Sequence, residues 1–206
     1  MFRIILGIFF LLALLDTASA AFFPKAFKGK FIQEKKSLLD NKNVTQSTFN
    51  IKYQYPSNVY LESSGHSDLT YVCNRNQVWI YEPPLLPTEN GTVKIGKTKQ
   101  HCYSSLFDSL RRGLKSNATY TVKKMNAKQF TLAFTEKGKK NIGVEKVEIY
   151  LKSSRQRFTN INYMNIFYEN DKHPTKLKAV SLIARKGFSK GTFRFKIPKN
   201  TTETKL

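Results

Sequence analysis

Three groupings in this 206-residue chain combine residue types that could do chemistry. His66 and Asp68 stand two apart and would share a strand face, as a base and its orienting carboxylate do. Such a pair needs a nucleophile, and no serine here sits in a GxSxG elbow, so the two read as surface residues of a turn. Glu145 and Glu148 could only serve glycoside chemistry as a facing pair, but a three-residue spacing on a strand points them to opposite faces. Gly138 to Gly143 has the look of a phosphate loop without its GK[ST] ending, and it reads as a hairpin turn between strands. His66, His101 and His173 are scattered and no CxxC or HExxH spacing occurs, so no metal site is expected. The expectation is a non-enzyme with no catalytic residues and no cofactor.

The remaining reactive pair is Cys73 and Cys102, 29 residues apart, and its state depends on compartment. Residues 1–20 read as an export leader. Arg3 precedes a twelve-residue apolar run from Ile4 to Leu15, and Ala18-Ser19-Ala20 supplies the small residues of a cleavage site. Twelve residues rise about 18 Å as a helix, too short for a hydrocarbon core of about 30 Å. Cleavage after Ala20 leaves residues 21–206 as one domain, outside the cytoplasm, where the cysteines either pair as a disulfide or stay as buried thiols.

The chain carries 35 Lys plus Arg against 14 Asp plus Glu, a formal charge of +21. The excess is spread along the sequence and is mostly lysine, with only 8 arginines. Arginine is the usual reader of bases and phosphates, so the balance argues for a cationic surface and against a nucleic-acid partner.

What must position these residues is mostly strand. Period-two alternation opens at Phe27-x-Gly29-x-Phe31-x-Gln33 and continues with Phe49, Ile51, Tyr53 and Tyr55 on one face. Val59 and Leu61 follow the Pro56-Ser57-Asn58 turn, Leu69 to Cys73 comes next, and Val78 to Tyr81 follows the turn at Asn74-Arg75-Asn76. Further strands are predicted at 118–125, 128–136, 144–152, 160–169, 176–185 and 192–197. Short strands joined by Asn, Lys and Gly turns indicate an antiparallel meander. One segment differs: Tyr103, Leu106, Phe107, Leu110 and Leu114 fall at helical spacing, with Ser105 and Asp108 at capping-box distance and Gly113 placed to end the helix. That helix either covers an open apolar sheet face or simply connects strands over the core.

The order of these motifs resembles the bacterial outer-membrane lipoprotein carrier family, LolA, over about residues 27 to 204. The similarity rests on Phe27-x-Gly29-x-Phe31-x-Gln33, on Pro56 to Leu61, on Tyr71 to Pro83 and on Phe193-Arg194-Phe195-Lys196-Ile197-Pro198. It implies an incomplete, strongly curved antiparallel β-barrel with a helical lid, whose apolar cavity takes lipoprotein acyl chains across the periplasm. Cargo would come from an inner-membrane ATP-driven release complex and pass to an outer-membrane receptor, with the carrier as a monomer. On this reading Phe49, Ile51, Val59, Leu61, Trp79 and Phe134 are cavity wall, and Leu106, Phe107 and Leu110 are lid. Two positions depart from the family pattern: only Ala21 to Ala26 precede the opening strand where a full helix is usual, and Tyr55 stands where an arginine often precedes the proline.

Two other classes compete. One is a sensory or regulatory lipid-binding module of the same architecture, against which stands the chain's ending eight residues after Pro198. The other is a secreted cationic protein acting on anionic surfaces. All three need export, so N-terminal sequencing of the exported protein is expected to begin at Ala21.

Overall fold

A computed structural model describes residues 21–36, 44–65, 68–98, 102–169, 171 and 173–206. The leader, His66 and His101 lie outside the described residues. The first meander comprises β1 (Ala26–Lys36), β2 (Val44–Gln54), β3 (Asn58–Gly65), β4 (Leu69–Cys73), β5 (Gln77–Glu82) and β6 (Gly91–Lys97). After helix α1 (Ser104–Leu110) comes a second run: β7 (Tyr120–Asn126), β8 (Gln129–Phe134), helix α2 (Glu136–Ile142), β9 (Val144–Leu151), β10 (Ile161–Tyr168) and β11 (Thr175–Arg185). β12 (Thr201–Lys205) ends the chain.

These form one twelve-stranded sheet in the order β12-β6-β5-β4-β3-β2-β1-β11-β10-β9-β8-β7, left open between its two outer strands. The fold is the expected mainly β, open, curved half-barrel with helices against its inner face. β1 is the seam, paired antiparallel with β2 on one side and β11 on the other. Between Lys30 and Phe31 the register with β11 slips past Val180, a bulge that adds local twist and so helps the sheet curl. Alternation on β1 puts Phe27, Gly29 and Phe31 inward and Lys28 and Lys30 out to solvent. The inward stripe then runs through Ile51, Tyr53, Val59 and Tyr71 into one hydrophobic core.

Two sequence expectations give way here. The segment 192–197 is not a strand. Phe193 is buried and Phe195 lies 5.3 Å from the ring of Tyr81, so this stretch covers the convex face of β4 to β6, where Val72 and Val93 are also buried. The chain then adds β12 parallel to β6, the exception in an otherwise antiparallel sheet, and β6 itself had no counterpart among the predicted strands. The Gly138–Gly143 segment is not a hairpin turn but most of α2. Thr135 caps that helix by accepting from the Gly138 N–H at 3.2 Å, and Gly143 at φ 73° ends it in the left-handed conformation. In keeping with the short stretch ahead of the opening strand, among the described residues no helix precedes β1. Phe22 and Phe23 from that short stretch pack inside instead.

Gly138 shows why α2 can sit where it does, since a Cβ there would fall on the Thr119 carbonyl and crowd Phe134. Gly138→Ala is therefore expected to lower stability by about 1–3 kcal/mol, read as a shift of the urea midpoint. An exposed control on the same helix, Lys140→Ala, leaves the midpoint unchanged.

Candidate functional site

The concave face encloses an apolar cavity of about 390 Å³. One wall comes from the first meander, with Phe31, Phe49, Ile51, Val59, Leu61 and Tyr71 from four neighbouring strands. These positions share a face because the registers pair Phe31 with Phe49, Ile51 with Leu61, and Leu61 with Tyr71. The opposite wall comes from the second run through Ile142, Val144, Ile166 and Leu177. Leu106 and Phe107 of α1 roof it. The polar residues among the lining include Gln33, Lys35, Tyr103, Ser105, Tyr168 and Asp171. Lys35 and Asp171 approach to 3.9 Å, and both are well exposed, so they form a hydrated rim rather than a buried pair.

At the other end of the strands the interior is shut by aromatic rings. Phe27 touches Tyr53, Phe107 and Phe158 at centroid distances of 5.2, 5.5 and 4.7 Å, and Phe23 packs on Phe158 at 5.2 Å. Edge-on and tilted pairs of this kind contribute about 0.5–1.5 kcal/mol each beyond their buried area. The cavity is thus a blind pocket entered from the end where β1 finishes.

Helix α1 is fastened at both ends. Cys73 and Cys102 are joined in a disulfide, which ties the approach to α1 onto β4. Closing a 29-residue loop in the unfolded chain contributes roughly 3 kcal/mol in the loop-entropy picture. The Tyr103 N–H donates to the Tyr71 hydroxyl at 2.9 Å, and the Tyr120 hydroxyl donates to the Gly113 carbonyl at 2.7 Å just past the helix. The capping box expected at Ser105 and Asp108 does not form, since the N-cap is Tyr103 and no side chain caps it. Asp108 instead accepts from the Tyr53 hydroxyl at 2.6 Å and from the Ser57 N–H at 3.2 Å, on the turn between β2 and β3. Beside it the Arg111 guanidinium lies 4.2 Å over the Tyr55 ring. Tyr55 thus receives an arginine from the cap of the helix.

Burial pushes the Asp108 carboxyl above its ordinary range, and the hydrogen bonds from Tyr53 and Ser57 with the nearby Arg111 only partly offset this. Burial likewise raises the hydroxyls of Tyr53 and Tyr168, so both stay neutral across physiological pH.

Of the residues expected at the site, the structure brings Phe49, Ile51, Val59, Leu61, Leu106 and Phe107 together around the cavity. It does not bring three others to it. Trp79 pairs with Val72 on the convex face, Phe134 packs on Tyr120 at 5.6 Å, and Leu110 is core under the helix. Sequence reasoning missed Ile142, which α2 delivers, and Ile166, Tyr168 and Leu177, whose strands were read without a face. Among the described residues no group of His, Cys, Asp or Glu could hold a metal, and no helix is long and apolar enough to cross a membrane.

A blind apolar cavity under a fastened helix, on an open curved sheet, makes this a half-barrel with a roofed interior. The family model of the outer membrane lipoprotein carrier protein LolA matches residues 24–196, and the chain belongs to that family, one of carriers rather than enzymes. Similar solved structures include an uncharacterized conserved protein of Thermus thermophilus, at 10% identity and TM-score 0.48, covering 97% of this chain and 99% of the other. Another is a Vibrio parahaemolyticus domain named for outer membrane lipoprotein sorting, at 11% identity and TM-score 0.42, covering 82% and 88%. No curated protein matches the sequence.

The Asp108 cluster sets a pH dependence with a definite sign. Because the folded state holds this proton more tightly than the unfolded chain does, the contribution is fully present at acid pH. It is lost as pH rises from the ordinary carboxylate range through the raised value. Asp108→Asn, which keeps an acceptor for Tyr53, is expected to flatten that part of the stability–pH curve. Asp108→Ala, which strands the Ser57 N–H and the Tyr53 hydroxyl, costs about 1–3 kcal/mol. Urea titrations across the acid range, wild type against each variant, read both.

Proposed function

We propose that this protein is a periplasmic carrier that holds lipoprotein acyl chains in the cavity and shuttles them from the inner to the outer membrane. The observation that carries the reading is the apolar cavity roofed by Leu106 and Phe107 in a chain of the lipoprotein carrier family. Each CH₂ taken from water is worth about 0.8 kcal/mol, so a two- or three-chain anchor needs an apolar host throughout transit. The walls at Phe49, Ile51, Val59 and Leu61 supply it, and the rim around Lys35 and Asp171 leaves the polar part of the cargo in water.

A cavity of about 390 Å³ lies near the lower end of the ~300–1,000 Å³ range of small-molecule pockets. Full loading therefore requires α1 to rise. Its disulfide to β4 makes the Cys102 end the hinge, and the Asp108 and Arg111 contacts are the ones that break. Release then needs no chemistry in the carrier, only a partner that offers a better apolar site.

The test is lipid extraction and mass spectrometry of the exported protein, with transfer of a triacylated lipoprotein from inner-membrane vesicles as the functional assay. Lipoprotein is expected to copurify with the wild type. Leu61→Glu places an unpaired charge in the wall and is expected to lower bound lipoprotein and transfer at least about tenfold. Copurification of phospholipid alone, with no transfer, overturns the carrier reading. Full transfer by Leu61→Glu overturns the cavity as the cargo site.

A further inference from the structure

The arginines are not scattered as the lysines are. All seven in the described residues lie at the closed end of the half-barrel, opposite the cavity entrance. Arg75 is in the β4–β5 turn, Arg111 and Arg112 follow α1, and Arg185 and Arg194 sit at and beyond the end of β11. Arg155 and Arg157 are in the β9–β10 loop, placed at this end by Phe158, whose ring packs on Phe27 at the start of β1. Six of the seven are exposed. Among the described residues none of them enters an ion pair, and the recorded pairs all use lysine. Asp108 is the only carboxylate side chain described at this end, and it is turned inward to Tyr53 and Ser57.

The surface there is concave. Two grooves flank the β2–β3 turn. One, of about 360 Å³, is lined by Tyr55, Pro56, Asp108, Ser109, Arg111 and Arg112. The other, of about 520 Å³, includes Arg75, Lys190 and Arg194 among its walls. The second is built rather than loose: Asn74 Nδ2 donates to the Phe193 carbonyl at 3.1 Å, and the Phe188 N–H donates to Gln54 Oε1 at 2.8 Å. In the first, Arg111 Nε is buried and has no hydrogen-bond acceptor.

From this geometry we infer that the closed end is a docking surface for an acidic segment of a partner protein, its carboxylates taken by Arg75, Arg112 and Arg194. Guanidinium forks pair with carboxylates bidentately, which lysine cannot do, and that is the physical sense of collecting arginine at one place in a lysine-rich chain. Paired grooves on either side of a ridge suit an extended chain. Since the cavity opens at the other end, docking leaves cargo free to enter and leave.

The experiment titrates a fluorescent deca-glutamate peptide into the mature protein and compares two charge-matched variants by anisotropy. Arg75→Glu/Arg194→Glu is expected to weaken binding by about tenfold or more, whereas Lys137→Glu/Lys140→Glu, on exposed α2 at the opposite end, changes it less than about threefold. Circular dichroism melts confirm that both variants fold, and Arg75→Gln/Arg194→Gln replaces the reversal if it does not. Equal losses in the two variants overturn the inference, because the attraction then belongs to the net charge. It is equally overturned if the arginine pair governs binding to phosphatidylglycerol vesicles but not to the peptide, which makes the partner a membrane. Lipoprotein transfer is scored separately, so failure of this surface and failure of the carrier reading are distinguishable.

Discussion

The seam between β1 and β11 is the constraint on which everything else rests. It joins residues about 150 positions apart, through nine paired positions from Ala26 with Arg185 to Glu34 with Lys176. Without it the two runs of strands would be separate sheets, each with an uncovered apolar face, and no concave surface would exist to roof. Closing so long a loop costs little more than closing a moderate one, because the entropy grows only with the logarithm of length. The difficulty is kinetic, since such non-local pairing gives no return until most of the chain is in place. The aromatic cluster around Phe27 stabilises the seam at its closed end, and the bulge at Lys30 and Phe31 bends it toward the cavity end.

Helix α1 divides the labour between its faces. Phe107 belongs both to the aromatic plug and to the cavity roof, so the helix is core at one side and wall at the other. Its polar face is not left to solvent, because Asp108 and Arg111 reach back to the β2–β3 turn. Apolar packing holds a roof without choosing one orientation. The directional bonds at Tyr53, Ser57 and Tyr55 supply that choice, and a partly buried carboxylate makes them breakable at modest cost.

Charge follows the same separation of ends. The net +21 once averaged over the surface says only that the protein attracts anions. Resolved by residue type it has a direction, with guanidinium groups gathered at the closed end and nearly all described carboxylates in the middle or near the entrance. Long-range attraction from the lysines fades over a Debye length of about 8 Å at physiological salt, whereas bidentate arginine contacts act at hydrogen-bond range.

Much of this was legible in the chain. Period-two alternation is a local property, and it placed β1 to β5 and most of β7 to β11, while the spacing of Leu106, Phe107 and Leu110 placed α1. The family resemblance supplied the curvature and the covering role that periodicity does not contain. Alternation divides a strand into two faces without saying which is inward, and so Phe49 and Trp79 looked equivalent until the register put Trp79 on the convex side. Gly138 to Gly143 looked like a turn because it lies between two predicted strands and lacks a phosphate loop's ending. In the fold one glycine is needed for its absent side chain against Thr119 and the other for a left-handed end to α2. Asp108 looked like a cap because its distance from Ser105 fits one, and it was taken instead by partners 51 and 55 residues away. Neighbours in the chain are enough to mark most of the strands, an apolar interior and a cationic outside, since alternation and composition are local properties. Which faces meet, where the cavity ends and where the arginines gather emerge from the folded sheet alone, because they depend on pairings between residues that the chain order keeps far apart.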